Sequence, residues 1–216
     1  MTKNGMKAGE LRLCLESVAK AIVQEEARLT SLDSAIGDGD HGITMRIGFE
    51  AVARKLASLD ENADLQRVFD EAGKSFMGAT GGAIGVLLGT MLTASGKALS
   101  GSAEMGPAEF KQVLGAMEST LIRLGKAKPG DKTILDAVHA ACEAAADPVI
   151  QDLQTMLPRA ATAAAEGAQR TSGMLCAKGR ASRLGDRVLG HPDPGAVSFS
   201  IILDAMAKWL ASHAIT

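Results

Sequence analysis

Asp33, Asp38 and Asp40 fall within the run Leu32-Asp33-Ser34-Ala35-Ile36-Gly37-Asp38-Gly39-Asp40-His41-Gly42. Three carboxylates this close repel one another unless a cation joins them. An all-oxygen donor set suits a hard cation, and Mg²⁺ held this way keeps coordination positions for phosphate oxygens. The same residue types also build solvated turns, so an acidic loop without metal is the competing reading. His41, Gly42, Ile43 and Thr44 stand where the loop enters a helix. The first N–H groups of a helix lack intrahelical partners and favour anions, so phosphates on them would be bridged by a metal on the aspartates.

Two further clusters carry similar chemistry. Gly78-Ala79-Thr80-Gly81-Gly82-Ala83-Ile84-Gly85 opens another helix and offers either a backbone cradle or close helix packing at small residues. Lys178-Gly179-Arg180-Ala181-Ser182-Arg183-Leu184-Gly185-Asp186-Arg187 is strongly basic, and His191-Pro192-Asp193-Pro194-Gly195 follows it. A solvated loop accounts for the charge alone. The two prolines stiffen a segment that solvation does not require to be rigid. A rigid loop bringing Arg to three carboxylates suits phosphoryl transfer, in which metals neutralise phosphate and Arg stabilises the moving group.

Three motif matches fail on context. Gly37, Gly39 and Gly42 spell a dinucleotide fingerprint, yet no strand precedes them and Asp38 and Asp40 would repel a pyrophosphate. A calcium loop beginning at Asp38 or Asp40 would need Glu at Phe49 or Ala51. Gly73-Lys74-Ser75 lacks the P-loop glycine, since Val68 occupies that position.

The elements that must carry these loops are helical. Apolar residues recur at three and four, as in Leu11, Leu15, Val18 and Ile22, or Phe110, Val113, Leu114, Met117 and Leu121. About eight such stripes run from Leu11 to Leu210, with no convincing alternation of period two, so the chain is predicted all-α and antiparallel. Pro107 after Gly106, Pro148 after Asp147, and Asp131 before Thr133 are expected to mark helix starts. If neighbouring helices alternate direction, the loops at 30–44, 77–85, 125–133 and 173–196 share one rim, where the unusual chemistry would converge.

Composition narrows the function further. The 216 residues carry 23 Lys+Arg against 25 Asp+Glu, a net charge of -2 that removes the electrostatic case for nucleic acid. Aromatics make up 3%, which disfavours stacking platforms for single strands. No apolar run reaches the ~18 residues of a membrane span, and the start lacks a signal-peptide stretch. Cys14, Cys142 and Cys176 are odd in number and far apart, as expected in a reducing, cytoplasmic setting. These features predict one domain over residues 1–216. His139, His213, Trp209, Met206 and the cysteines read as structural, with neither histidine given a ligand partner at i+4.

In these residues the chain resembles the nucleotide-binding L subunit or domain of dihydroxyacetone kinases (the DhaL family). The resemblance rests on Leu32-Asp33, Ile36 through Gly42, Gly81-Gly82-Ala83, Lys128-Pro129-Gly130-Asp131-Lys132-Thr133, Lys178 through Ser182, and His191 through Ala196. It implies a closed barrel of about eight antiparallel helices, with ADP or ATP at one end held through two Mg²⁺ ions. By resemblance, Asp33, Asp38 and Asp40 are metal ligands. His41, Gly42, Ile43, Thr44, Ala83, Ile84, Gly125, Thr133, Arg180, Asp193, Pro194 and Gly195 are nucleotide contacts, and Arg180 also assists transfer of the γ-phosphoryl group. One departure stands out: Ile84 replaces a serine usual in the family, removing a hydrogen bond worth about 1.5–3 kcal/mol where it meets a charged group.

The resemblance further implies that the ketose is held by a separate subunit or domain, as a covalent adduct on histidine. The expected function is a kinase subunit presenting Mg-nucleotide to that partner, with dihydroxyacetone or a related ketose such as erythrulose as acceptor. The phosphoryl donor is either a phosphocarrier protein of the phosphotransferase system acting on bound ADP, or exchangeable ATP. The alternative is a regulatory Mg-nucleotide module acting on a transcriptional regulator. Nucleic acid and membrane are not expected partners, and a homodimer is left open.

Overall fold

A computed structural model describes residues 5–213, apart from the side chain of Arg180. Its nine α-helices among the described residues are α1 (Ala8–Gln24), α2 (Glu26–Ile36), α3 (His41–Ala57), α4 (Leu65–Ala79), α5 (Gly82–Ala98), α6 (Pro107–Gly125), α7 (Ile134–Ala145), α8 (Leu153–Arg170) and α9 (Pro194–His213). Three short 3₁₀ turns, beginning at Thr171, Arg180 and Gly185, lie between α8 and α9. The described residues contain no strand, and Met6 and Met105 form one isolated antiparallel bridge.

Eight helices form a ring. Packing runs from α1 to α3, on through α4, α5, α6, α7, α8 and α9, and back from α9 to α1. Each ring helix turns its apolar stripe inward, and the buried side chains form one continuous cluster that includes Leu15, Phe49, Phe76, Met91, Phe110, Leu135, Leu157 and Phe199. This closed circle is the fold class expected from the sequence. The ninth helix, α2, lies outside the ring against α3, with smaller contacts to α9 and α1. It buries only Leu29 and Ile36, too few for an apolar stripe, so the expected loop at 30–44 is in part helix.

Helix starts agree in part with expectation. Pro107 does occupy the first turn of α6. By contrast α8 starts at Leu153, where Asp152 accepts a 2.7 Å hydrogen bond from the Thr155 amide. Asp147 instead closes a turn through the Val149 amide at 3.0 Å. At α7 the cap is Thr133, whose hydroxyl accepts from the Leu135 amide at 3.2 Å. Asp131 braces the preceding turn by accepting from the Lys128 amide at 3.0 Å.

Glycine sets two close helix approaches. A Cβ on Gly73 would lie 2.5 Å from the Gly89 carbonyl oxygen, and one on Gly89 would lie 2.9 Å from that of Gly73, so α4 and α5 touch backbone to backbone. Gly42 is equally constrained, because a Cβ there would lie 2.2 Å from the Glu26 carbonyl oxygen. That contact seats α2 on the first turn of α3. Finally, α9 is long and apolar enough to cross a membrane by length and composition, yet it packs between α8, α7 and α1, with Phe199, Ile202, Leu203 and Trp209 buried.

Candidate functional site

The loops singled out in the sequence meet at one end of the ring, around a cavity of about 980 Å³. Its wall draws on the α2–α3 loop, the start of α5, the end of α6, the start of α7, the segment after α8, and the start of α9. Four helix N-termini, those of α3, α5, α7 and α9, therefore open onto one space. Each brings partial positive charge and outward N–H groups, an arrangement that favours a polyanion.

The carboxylates share this rim with the helix ends. Asp33, Asp38 and Asp40 each offer an oxygen, and these atoms lie within 4.8 Å of one another. Asp33 belongs to α2, whereas Asp38 and Asp40 belong to the turn that follows it. Asp33 Oδ2 also accepts from the His41 amide at 3.3 Å, fixing the turn to the first residue of α3. Three convergent oxygen donors fit a hard divalent cation that keeps open positions for phosphate oxygens.

His41 is buried, and its Nε2 lies 2.7 Å from the Ser198 hydroxyl of α9. Burial pulls its pKa below the usual histidine value, against the opposing influence of Asp33, so the ring is neutral near pH 7. At the start of the same helix, Asp193 caps α9 by accepting from the Ala196 amide at 2.8 Å. Burial pushes its carboxyl up to about 7, with Asp136 and Asp33 adding to the rise and the Ala196 amide and Lys132 opposing it.

The turn between α6 and α7 is held by two groups that sequence reasoning passed over. Asp136 accepts from the Gly130 amide at 2.5 Å and the Thr133 amide at 2.8 Å. Lys132 is 2% exposed, with φ at 58°. Its ammonium donates to the carbonyls of Thr171 (2.8 Å), Val188 (2.8 Å) and His191 (2.6 Å). The left-handed conformation of a non-glycine residue is the visible local cost of that inward turn. Its only sequence signal was membership of the run Lys128 through Thr133.

The glycine-rich turn opens onto the cavity, and the close helix packing falls outside it. Gly81 and Gly82 line the cavity with open space where a Cβ would stand, and Gly82 has φ at 71°. Gly89, one turn beyond Gly85, serves helix packing instead.

Residues 35–208 match the DAK2 domain. The chain belongs to the DAK2 domain family. It is 35% identical over 185 residues to the ADP-binding subunit DhaL of the PEP-dependent dihydroxyacetone kinase of Escherichia coli K12, covering 85% of this chain and 88% of that one. It is 32% identical over 197 residues to L-erythrulose 1-kinase of Mycolicibacterium smegmatis, covering 91% of this chain but 34% of the relative. The crystal structure of the C. freundii dihydroxyacetone kinase with AMP-PNP and Mg²⁺ superposes with a TM-score of 0.70 at 28% identity, over 96% of this chain and 35% of that one. The chain thus spans about a third of the longer kinases and most of the DhaL subunit.

In this DAK2 domain the cavity brings together His41, Thr44, Ala83, Ile84, Gly125, Thr133, Asp193, Pro194 and Gly195 of the expected nucleotide contacts. Gly42 and Ile43 are not among the lining side: Gly42 packs against α2 and Ile43 is 43% exposed. Gly179 and Ala181 line the wall, while the side chain of Arg180 between them lies outside the described residues. Lys178 adds a cation to the wall, its Nζ 3.8 Å from Asp131.

Away from the cavity the structure changes one assignment. His139 does have partners: its Nδ1 lies 2.6 Å from Glu118 and its Nε2 3.7 Å from Glu143, four residues on in α7. His213 stacks on Trp209 at 4.2 Å, a structural contact. The three cysteines are free thiols, and burial pushes Cys14 and Cys142 up to about 12, which keeps both protonated.

Proposed function

We propose that this chain is a single domain that binds Mg-nucleotide and transfers the γ-phosphoryl group to a short-chain ketose held on a partner subunit or domain. The observation that carries this reading is that Asp33, Asp38 and Asp40 and four helix N-termini open onto one cavity. Metal-bound polyphosphate is the ligand class that uses both features. The cavity volume falls within the ~300–1,000 Å³ of ligand pockets and suits a nucleotide.

Asp33, Asp38 and Asp40 hold Mg²⁺, taken as two ions, and bound Mg²⁺ would neutralise phosphate charge during transfer. The N-termini of α3, α5 and α7 receive the phosphates, with Thr44, Ala83, Ile84 and Thr133 at the wall. Gly125 and the Asp193-Pro194-Gly195 turn bound the rest of the site. Arg180 stabilises the transferring group, as its place between two cavity-lining residues supports. Ile84 supplies no hydroxyl, so the backbone of the α5 turn carries more of the phosphate contact there.

The cavity is open at the rim, where transfer to a ketose on another protein requires access. Two donor modes fit this reading: the PEP-dependent, ADP-binding DhaL relatives support a bound ADP, which a phosphocarrier protein would recharge, and the C. freundii kinase complex with the ATP analogue AMP-PNP supports exchangeable ATP. No relative described here supports the regulatory alternative. Reconstitution tests the proposal. Mixed with a ketose-binding kinase subunit, dihydroxyacetone or erythrulose, and ATP or a phosphorylated phosphocarrier, the chain yields a phosphorylated ketose. Failure with every combination, by a chain that binds Mg-nucleotide, would overturn the kinase assignment.

A further inference from the structure

The segment from Thr171 to His191 is a loop closed at its neck. The Gly190 amide donates to the Ser172 carbonyl at 2.8 Å, joining the two ends. The Lys132 ammonium sits beside that neck, and its three hydrogen bonds reach Thr171 on one side and Val188 and His191 on the other. All three ammonium protons are thereby satisfied in a side chain that is 2% exposed, as a buried cation requires. A second attachment lies farther out: the Ala177 amide donates to the Asp131 carbonyl at 3.1 Å. Between these anchors the loop contributes Cys176, Lys178, Gly179 and Ala181 to the cavity wall.

Few apolar contacts hold the loop. Leu175 is 54% exposed and Leu189 is 42% exposed, and Val188 is its one fully buried apolar side chain between Ser172 and Gly190. Apolar burial is what normally fixes a segment of this length, so polar anchors must take its place. Lys132 also adopts the left-handed conformation, with φ at 58°, to reach inward. A flexible, strongly hydrated side chain placed this way serves the loop, since α7 is already capped by Thr133 and Asp136.

The geometry points to Lys132 as a positioning residue that fixes the 171–191 loop as one wall of the site. This rests on the nucleotide reading above for its consequence, but not for the clamp itself. Lys132 borders the cavity, but its ammonium is engaged by three carbonyls, and it holds the basic loop against the α6–α7 turn so that the cavity is already shaped when the ligand arrives. Pre-ordering a wall in this way lowers the entropy cost of binding.

The test compares the full chain with Lys132→Met by trypsin cleavage after Lys178, Arg183 and Arg187, followed by mass spectrometry, with and without Mg-ADP. The variant is expected to be cut within this loop about tenfold faster or more, because cleavage tracks the open population. Mg-ADP slows that cleavage, and its Kd in the variant rises by about tenfold, or about 1.4 kcal/mol. Helix α4, opposite α8 in the ring, keeps wild-type hydrogen exchange. Equal cleavage of the loop in both proteins, or cleavage spread evenly along the variant with a lowered melting point, would overturn the positioning role. Should the variant not fold, hydrogen exchange of the wild type decides: Gly190 and Ala177 amides protected in ligand-free protein support the clamp, and exchange at coil rates refutes it. A wild type that ignores Mg-ADP would refute the nucleotide reading while the cleavage comparison still judged Lys132.

Discussion

His41 Nε2 and the Ser198 hydroxyl lie 2.7 Å apart, 157 residues from one another in the chain. The contact ties the first residue of α3 to the first turns of α9, two of the helix ends that open onto the cavity. It also spends the imidazole on structure. The His41 amide is engaged as well, by Asp33 at 3.3 Å. One residue therefore connects the acidic turn, the start of α3 and the start of α9.

Asp38→Asn is expected to release metal and nucleotide together, because the remaining two carboxylates cannot offset the desolvation of a divalent cation. In the wild type, Mg-ADP at a hundred times its Kd adds about 2.7 kcal/mol of stability. Each kcal/mol moves the melting midpoint of a chain of this size by about 2–4 °C. The variant loses that ligand-dependent shift in differential scanning calorimetry. An unchanged shift would exclude Asp38 from the metal site.

Gly42→Ala couples fold to site. Its Cβ would lie 2.2 Å from the Glu26 carbonyl oxygen and 2.6 Å from the Thr30 amide nitrogen, both backbone atoms that cannot rotate away. The helices α2 and α3 must separate, at the ~1–3 kcal/mol typical of overpacking. Chemical denaturation is expected to show that loss, and Mg-ADP affinity falls too, since Asp33 rides on α2. A variant as stable as wild type would contradict the close approach.

Asp193 gives the ligand-free protein a pH dependence. Burial raises its carboxyl from 3.8 to about 7. Folding then favours the protonated form, so this contribution is complete below about pH 3.8 and is lost as pH rises through about 7. Asp193→Asn keeps an acceptor for the Ala196 amide and carries no charge. With chelator present, the variant's stability advantage over wild type should grow from pH 5 to pH 8; parallel curves would show that Asp193 stays ionised in the fold.

Arg180→Ala is expected to keep most Mg-ADP affinity and to lower phosphoryl transfer in the reconstituted kinase by about a thousandfold, the scale on which an arginine at a transferring phosphoryl group acts. Steady-state assay with a saturating ketose-binding subunit measures it. Full activity would remove Arg180 from the transfer step.

Much of the ring was legible because its helices each bury an apolar stripe, and stripes at three and four survive in sequence whatever the helices pack against. The common rim of the loops followed from alternation alone. What escaped was polar or sparse. Helix α2 buries Leu29 and Ile36 and little else, so its pattern is indistinguishable from a solvated segment. Asp147-Pro148 is a good local start signal, but Asp152 caps α8 because the buried Ile150 and Leu153 set the register. Asp131 and Thr133 were both suitable caps for α7, and the choice depended on Asp131 being drawn to Lys128 and Lys178. For the site, the acidic turn and glycine turn could be read from residue type. Lys132 could not, because a lysine buried on three carbonyls has the same sequence signature as one in water.

The measurement that tests the central claim most directly is calorimetric titration of the purified chain with ADP, in Mg²⁺ and in chelator, after unfolding and chromatography to quantify any nucleotide already carried. The account predicts one nucleotide site per chain, either filled as isolated or filled by titration, and dependent on Mg²⁺ and on Asp33, Asp38 and Asp40. A chain that carries no nucleotide and takes up neither ADP nor ATP in the presence of Mg²⁺ would contradict it.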